Sequence, residues 1–232
     1  MYCKLPNLES DNFSEKKAVM YPCCDGNFFD QNGLLESVKE MAKNMDKVYV
    51  SISTKSFISD EEIANLAQLN QELLSENKGF VKLGISLSNI SMINKIEPGT
   101  ISYAERLSIA KRIKETSILL GVTIKPILPF ISTEEYCQII NDFSKYTKYF
   151  LIGGLYLNRK SKFFSNYITT EHLIQKRVVE WLPERPEWEY IEDDKQFQQI
   201  RIHAEKKGVL LFDSDVDLIK SYIGQEGMIH GV

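Results

Sequence analysis

The residues of this sequence that could carry chemistry come directly after short apolar runs. Cys23, Cys24 and Asp25 follow the run "AVMYP", and Lys55 follows the run "VYVSIST". If these runs are parallel strands, their ends form the edge of a sheet where α/β proteins bind ligands. Lys55 would then either meet an anion or point to solvent, and the two cysteines would either face the ligand or pack as small buried side chains.

Two further groups of polar residues have the same placement. Ser86 and Ser88 alternate with apolar neighbours in "GISLSN", and they could donate hydrogen bonds to a ligand or satisfy local backbone groups. Glu97 and Arg106 flank a Pro-Gly turn and the start of a helix in "NKIEPGTISYAERL". This pair could clamp a ligand, or it could be an ion pair that fixes the loop.

Common catalytic signatures are missing from the sequence. It contains no Walker loop and no GxGxxG, HExxH or GxSxG motif, and its 3 histidines all lie in the C-terminal part. Histidine-based hydrolysis and a histidine-rich metal site are therefore not expected.

The elements that must position these residues alternate between strands and helices. Five runs rich in β-branched and aromatic residues predict buried strands: "AVMYPCC", "VYVSIST", "FVKLGISL", "VTIKPILPF" and "YFLIGGLYL". Two segments between them show helical spacing: Ile63, Leu66, Ala67, Leu73 and Leu74, then Leu107, Ala110, Ile113, Ser117 and Leu120. Ser59, Ser102 and Ser132 each stand three residues before a glutamate, which is the capping-box spacing of a helix start.

This alternation predicts an α/β fold with parallel strands, because such repeats of strand and helix are joined by right-handed crossovers. An open doubly wound sheet and a barrel both satisfy the pattern, and we favour a (β/α) TIM-type barrel or part of one. The pattern changes after Asn158, where a basic, aromatic and proline-broken stretch is followed by segments typical of a helix, a short strand and a last helix. We therefore predict a barrel core over residues 1–158 and a C-terminal helical extension over 159–232, packed on the same domain.

The composition is ordinary for a soluble globular protein. The 232 residues are 43% hydrophobic and 26% charged, and the net charge of −4 gives no general attraction to nucleic acid or to anionic membranes. No apolar run approaches the roughly 20 residues that span a bilayer, and the first residues lack the layout of a secretion signal. We expect a cytoplasmic protein whose 4 irregularly spaced cysteines are reduced.

Taken in order, the strand ends resemble those of the radical S-adenosylmethionine superfamily, in its spore photoproduct lyase-like branch. The resemblance lies in "STKS", "ISLS", "KIEPGT" with "ERL", "IKPILPFIS" and "LIGGLYL", and it covers roughly residues 1–158. It implies a partial (β/α) barrel that binds S-adenosylmethionine (AdoMet) and a 4Fe-4S cluster. Such enzymes cleave AdoMet reductively to a 5′-deoxyadenosyl radical that abstracts hydrogen from a substrate.

The family's cluster motif, CxxxCxΦC with Φ usually aromatic, is matched only at its end. Tyr2 and Cys3 correspond to ΦC, so Cys3 would be a cluster ligand and Tyr2 its cofactor-site neighbour. The resemblance then implies that the first strand and two cluster cysteines are missing from this chain. Because one thiolate cannot hold a cluster stably, we expect the chain alone to lack the cluster, to be colourless and to be inactive as a radical enzyme.

The same resemblance suggests roles for other residues. Lys55 and Ser86 match contacts to the methionine part of AdoMet, and Glu97 with Arg106 would belong to the cofactor site. Gly153 would let the backbone approach the adenine, or it could mark a strand bulge. Cys24, in preference to Cys23, matches a hydrogen-donor cysteine of the lyase.

Two main functions therefore stand side by side. The first is the core of a radical AdoMet enzyme that acts on an unknown small-molecule or nucleic-acid substrate, with a flavodoxin- or ferredoxin-type reductant and no membrane partner. The alternative is a cluster-free TIM-type barrel that acts as a binding or interaction module. A weaker third possibility, a TIM-type lyase or phosphate-binding enzyme, would need a glycine-rich phosphate loop after the late strands, and the sequence has only Gly153 and Gly154 there.

Overall fold

The structure is a computed structural model that describes residues 17–22, 28–31, 33–157, 166–167, 174–179, 184 and 186–229. Within these ranges the strands are β1 Lys17–Met20, β2 Lys47–Thr54, β3 Gly79–Ser86, β4 Leu119–Ile124, β5 Tyr149–Ile152, β6 Leu155–Leu157, β7 Ile174–Val178, β8 Glu187–Ile191 and β9 Leu210–Phe212. The helices are α1 Leu34–Lys43, α2 Asp60–Ser75, α3 Ile93–Ile96, α4 Tyr103–Lys114, α5 Thr133–Phe143, α6 Asp194–Lys206 and α7 Asp215–Ile229. A 3-10 turn spans Phe28–Asp30.

Six of the strands form one parallel sheet in the order β1-β2-β3-β4-β5-β9. From β1 to β5, strands that are neighbours in the sheet are also neighbours in sequence, and the order never reverses. A doubly wound sheet reverses its order at a switch point, whereas a (β/α) barrel does not. The predicted partial (β/α) barrel is therefore confirmed, while a missing first strand stays a prediction.

One face of this sheet, here called the outer face, is aliphatic. In β3 it presents Val81, Leu83 and Ile85, which are at most 2% exposed. These side chains share one hydrophobic core with the buried faces of α2, α4 and α5. The periodic apolar stripes of the sequence thus form the layer that holds the helices on the sheet.

The predicted serine caps lie at the starts of three helices. Ser59 and Ser102 form complete capping boxes with their glutamates at the first turns of α2 and α4. Ser132 accepts a hydrogen bond from the Glu135 backbone N–H at the start of α5. The Glu135 carboxylate instead accepts from two backbone N–H groups of the loop after β3, those of Ile90 at 2.5 Å and Ser91 at 3.1 Å.

Two predicted strands differ from those in the structure. Strand β4 begins at Leu119, and α4 ends at Lys114, so the helical stripe that was predicted to run to Leu120 stops earlier. The predicted strand "YFLIGGLYL" breaks after Ile152, and its second half, β6, joins an antiparallel sheet in the order β6-β8-β7. A Cβ on Gly154 would lie 2.5 Å from the Tyr190 hydroxyl, so this break depends on glycine.

The predicted C-terminal extension contributes to the parallel sheet. Strand β9 pairs with β5, and α7 packs on the face of the sheet opposite to the outer one, here called the inner face. The boundary at residue 158 between core and extension stays a prediction. Among the described residues, no helix combines the length and the apolar character needed to cross a membrane.

Candidate functional site

The inner face carries small and polar residues toward the carboxyl ends of its strands. Successive side chains of a strand alternate between faces, so Lys82, Gly84 and Ser86 of β3 share the inner face. The register places Gly84 beside Ser53 of β2 and Ser86 beside Thr123 of β4. Glycine and these hydroxyl residues fill little volume, and the Lys82 ammonium borders this small-residue zone, since a Cβ on Gly84 would lie 3.3 Å from Lys82 Nζ.

A charged network, here called the edge network, lies where β2 and β3 end. Lys55 Nζ is 2.9 Å from Glu97 Oε1, and Arg106 Nη1 is 2.8 Å from Glu97 Oε2. The side chain of Lys55 is 38% exposed, whereas those of Glu97 and Arg106 are 3% and 0% exposed. Two cations share one carboxylate, so the network carries one net positive charge, and the ammonium of Lys55 is its accessible end.

Arg106 attaches this network to the backbone. Its Nη1 donates to the Ser86 carbonyl at 2.6 Å, and its Nη2 donates to Thr100 Oγ1 at 2.7 Å. The contact of Nη1 with Glu97 Oε2 is an ion pair without hydrogen-bond geometry, and the buried Nε has no hydrogen-bond partner. Arg106 thus fixes the end of β3 to the turn before α4 at the cost of an incompletely paired guanidinium.

The environment of Glu97 keeps its carboxyl group ionised. Burial alone would raise the pKa of Glu97, but the hydrogen bond from Lys55, the charges of Lys55 and Arg106 and a hydrogen bond from Ser88 together lower the pKa below its usual value. The buried carboxylate is therefore a permanent counter-ion for both cations.

A second charged group, here called the inner tether, lies deeper on the inner face. Lys82 Nζ forms an ion pair with Asp215 at the start of α7, and Lys82 is only 2% exposed. Ser51 Oγ donates to Asp215 Oδ2 at 2.5 Å, and Lys82 Nζ lies 3.4 Å from the same Ser51 Oγ. The tether therefore joins β2, β3 and α7 across the interior of the partial barrel.

A third lysine, Lys125, lies beside Gly153 after the ends of β4 and β5. Its ammonium donates to the Asp213 carbonyl, and a Cβ on Gly153 would lie 2.8 Å from Lys125 Cε. Burial lowers the pKa of Lys125, an effect that nearby aspartates, Asp213 first among them, partly oppose. The space over Gly153 is thus occupied by this lysine side chain.

The structure brings some of the predicted site residues together. Lys55, Ser86, Glu97 and Arg106 meet in or beside the edge network, although their roles toward a ligand stay predictions. Gly153 lies two strands away from Ser86, next to Lys125. The predicted Tyr2, Cys3 and Cys24 lie outside the described residues.

The sequence reasoning missed the inner tether. Lys82 is the one charged residue inside the strand "FVKLGISL", and a lysine in a strand that is otherwise buried requires a counter-ion. That signal was available. Nothing in the sequence identified Asp215 as the partner, because it lies more than a hundred residues further along the chain.

Comparison with known proteins supports a structural relationship. No family model matches the chain, and no curated protein matches it in sequence. Among solved structures, a double mutant of spore photoproduct lyase with bound AdoMet and dinucleoside spore photoproduct superposes with a TM-score of 0.61 at 14% identity, covering 84% of this chain and 61% of that one. The fold is that of spore photoproduct lyase.

Other spore photoproduct lyase structures agree. The lyase complexed with dinucleoside spore photoproduct superposes with a TM-score of 0.60 at 15% identity over 86% of this chain, and a tyrosine-to-phenylalanine mutant superposes with 0.61 over the same share. The chain spans 62% of the length of both lyase structures. The resemblance to spore photoproduct lyase that the ordered strand ends predicted is thereby confirmed for the fold.

Proposed function

We propose that this chain is the AdoMet-binding core of a radical AdoMet enzyme, with its site on the inner face at the carboxyl ends of β2 to β5. The observation that supports this most is the similarity of fold to spore photoproduct lyase over 84–86% of the chain. One of the similar lyase structures contains bound AdoMet. The edge network lies at that end of the sheet, where parallel α/β folds bind their ligands.

In this proposal the edge network binds the amino-acid part of AdoMet. The Lys55 ammonium, which is the accessible end of the network, would pair with the methionine carboxylate. Glu97 and Arg106 are buried and would act behind it, with Glu97 orienting Lys55 and Arg106 holding the end of β3. The Ser86 hydroxyl on the inner face would donate a hydrogen bond to the ligand.

A 4Fe-4S cluster, when bound in such enzymes, supplies the electron that cleaves the sulfonium. The sequence matches its cysteine motif only at Cys3, and within the described ranges no group of three or more His, Cys, Asp or Glu side chains could hold a metal ion. Cys137 lies apart on α5, where burial raises the pKa of its thiol. Neither the matched part of the motif nor the described residues supply the three thiolates of such a cluster, so the function proposed here is to bind and position AdoMet.

The proposal is tested by isothermal titration of the purified chain with AdoMet and with 5′-methylthioadenosine, which keeps the adenosine and lacks the carboxylate. Lys55→Ala should weaken AdoMet binding by about 10- to 100-fold, the value of one charge-assisted hydrogen bond, and should leave methylthioadenosine binding unchanged. Lys111→Ala removes an exposed lysine from α4 and serves as the matched control.

Three results would contradict the proposal. If the wild-type chain binds neither compound, it is not an AdoMet-binding core, and the binding-module alternative gains support. Equal losses for both compounds in Lys55→Ala would mean that Lys55 acts on the fold and not on the carboxylate. An unchanged AdoMet affinity would remove Lys55 from the site.

A further inference from the structure

The inner face is divided into two zones along the strands. Toward the amino ends of the strands it is apolar and aromatic, and α7 covers it with Leu218, Ile219 and Tyr222. The ring centroid of Tyr222 lies 4.9 Å from that of Phe80 and 5.7 Å from that of Tyr149. Toward the carboxyl ends, the zone of small and polar residues begins.

The inner tether lies at the border between these zones. Ser51 and Lys82 are paired across β2 and β3, and the next inner-face pair along the same strands is Ser53 with Gly84. The Lys82 side chain extends toward this second pair, because a Cβ on Gly84 would lie 3.3 Å from Lys82 Nζ. The Lys82–Asp215 ion pair, and with it the first turn of α7, therefore lies at the lower border of the polar zone. Lys82 and Leu218 take up the space that Gly121 leaves open, because a Cβ there would lie 2.9 Å from Lys82 Cε and 3.7 Å from Leu218 Cδ1.

The tether holds the first turn of α7 in this position. The Lys82 ammonium is buried, and removing its counter-ion would leave an uncompensated charge in the interior. Movement of α7 away from the sheet would return this charge to water. Docking of α7 is thus coupled to the position of the Asp215 carboxylate.

We infer that α7 is the floor of the AdoMet pocket and that Lys82, Asp215 and Ser51 are positioning residues that hold this floor in place. The inference rests on the proposed function, because it assigns the lower wall of the same pocket. A ligand that contacts the floor binds only when α7 is docked, so AdoMet binding and α7 docking must stabilise each other by the same free energy.

The first test uses amide hydrogen exchange on the unliganded full chain. Asp215→Asn should speed exchange across residues 218–224 by on the order of 100-fold relative to α2, since it leaves the Lys82 charge unpaired. Asp213→Asn is the matched control, because that carboxylate is 77% exposed and pairs with Arg201 at the surface. The double variant Lys82→Met with Asp215→Asn should restore slow exchange, since it removes the buried charge altogether.

The second test adds AdoMet. A saturating concentration should slow exchange across residues 218–224 in the wild-type chain, and the AdoMet affinity of Asp215→Asn should fall at least tenfold by the same coupling.

In the first test, two results would contradict the role of the tether: exchange in Asp215→Asn at the wild-type rate, or fast exchange that the double variant does not reverse. If AdoMet binds without any change in the exchange of the α7 amides, α7 is not the floor of the pocket, and the proposed function is unaffected. If the wild-type chain binds no AdoMet, the proposed function is contradicted, and the tether is unaffected.

Discussion

The outer and inner faces of the parallel sheet are built from alternate residues of the same strands, yet they differ in chemistry. In β3 the outer residues Val81, Leu83 and Ile85 all join one hydrophobic core with the helices. The inner residues Lys82 and Ser86 are buried as well, but they are polar or charged. Burial is thus nearly the same on both faces, but toward the carboxyl ends of the strands only the outer face is stabilised mainly by the hydrophobic effect.

The difference shows how one strand can serve structure and function at once. The outer face binds helices through interchangeable aliphatic contacts, so its residues need only suitable size and hydrophobicity. The inner face depends on specific partners, such as Asp215 for Lys82. Substitutions on the outer face should therefore change stability alone, and those on the inner face should change interactions that depend on charge.

The largest expected effect is the loss of the buried guanidinium of the edge network. Arg106→Ala removes one of the two cations that compensate Glu97 and should lower the free energy of unfolding by about 3–5 kcal/mol, measured in urea. Arg201→Ala is the matched control, because the Arg201–Asp213 pair is exposed, and it should cost about 0–1 kcal/mol. If the two variants lose similar amounts of unfolding free energy, the burial of the Arg106–Glu97 pair does not matter for stability.

A smaller effect is expected from single substitutions on the two faces of β3. Leu83→Ala on the outer face should lower the free energy of unfolding by about 2–5 kcal/mol and leave AdoMet affinity unchanged. Ser86→Ala on the inner face should cost less than about 1.5 kcal/mol and weaken AdoMet binding. Urea unfolding measures the stability of both variants, and titration calorimetry measures their AdoMet affinity. A loss of affinity in Leu83→Ala with unchanged affinity in Ser86→Ala would refute the contrast between the faces.

The smallest expected effect is on the pH dependence of stability. Because the folded-state pKa of Glu97 is held below its usual 4.5, its carboxylate stabilises the fold above that pH, and this contribution is lost as the pH falls through the lowered value. Glu97→Gln should therefore flatten the decline of the urea midpoint below about pH 4.5. Glu61→Gln, at an exposed position of α2, should keep the wild-type slope, and an unchanged slope in Glu97→Gln would contradict the proposed charge balance.

The features that sequence reasoning predicted correctly are those fixed by nearby residues. The capping boxes at Ser59 and Ser102 involve groups three residues apart, and the apolar stripes of the helices repeat along one segment. The order of the strand ends also identified the fold, since it reflects a barrel whose successive strands are adjacent.

The features that were missed depend on contacts between distant segments. The break after Ile152 follows from the approach of Tyr190, whose hydroxyl accepts a hydrogen bond from the Gly154 backbone N–H at 3.1 Å. The Glu135 carboxylate reaches back to the loop after β3, and Asp215 reaches Lys82 from the last helix. Spacing along one segment carries no information about such partners.

The order of the elements along the chain also has a consequence for synthesis on the ribosome. Strands β1 to β5 and their helices can assemble as they emerge, because their pairings are between successive segments. The aromatic residues Phe80 and Tyr149, however, are covered only in part until Tyr222 has been made. During that interval the nascent chain presents an apolar surface and a lysine without its aspartate, and it is then that we expect it to depend most on chaperones.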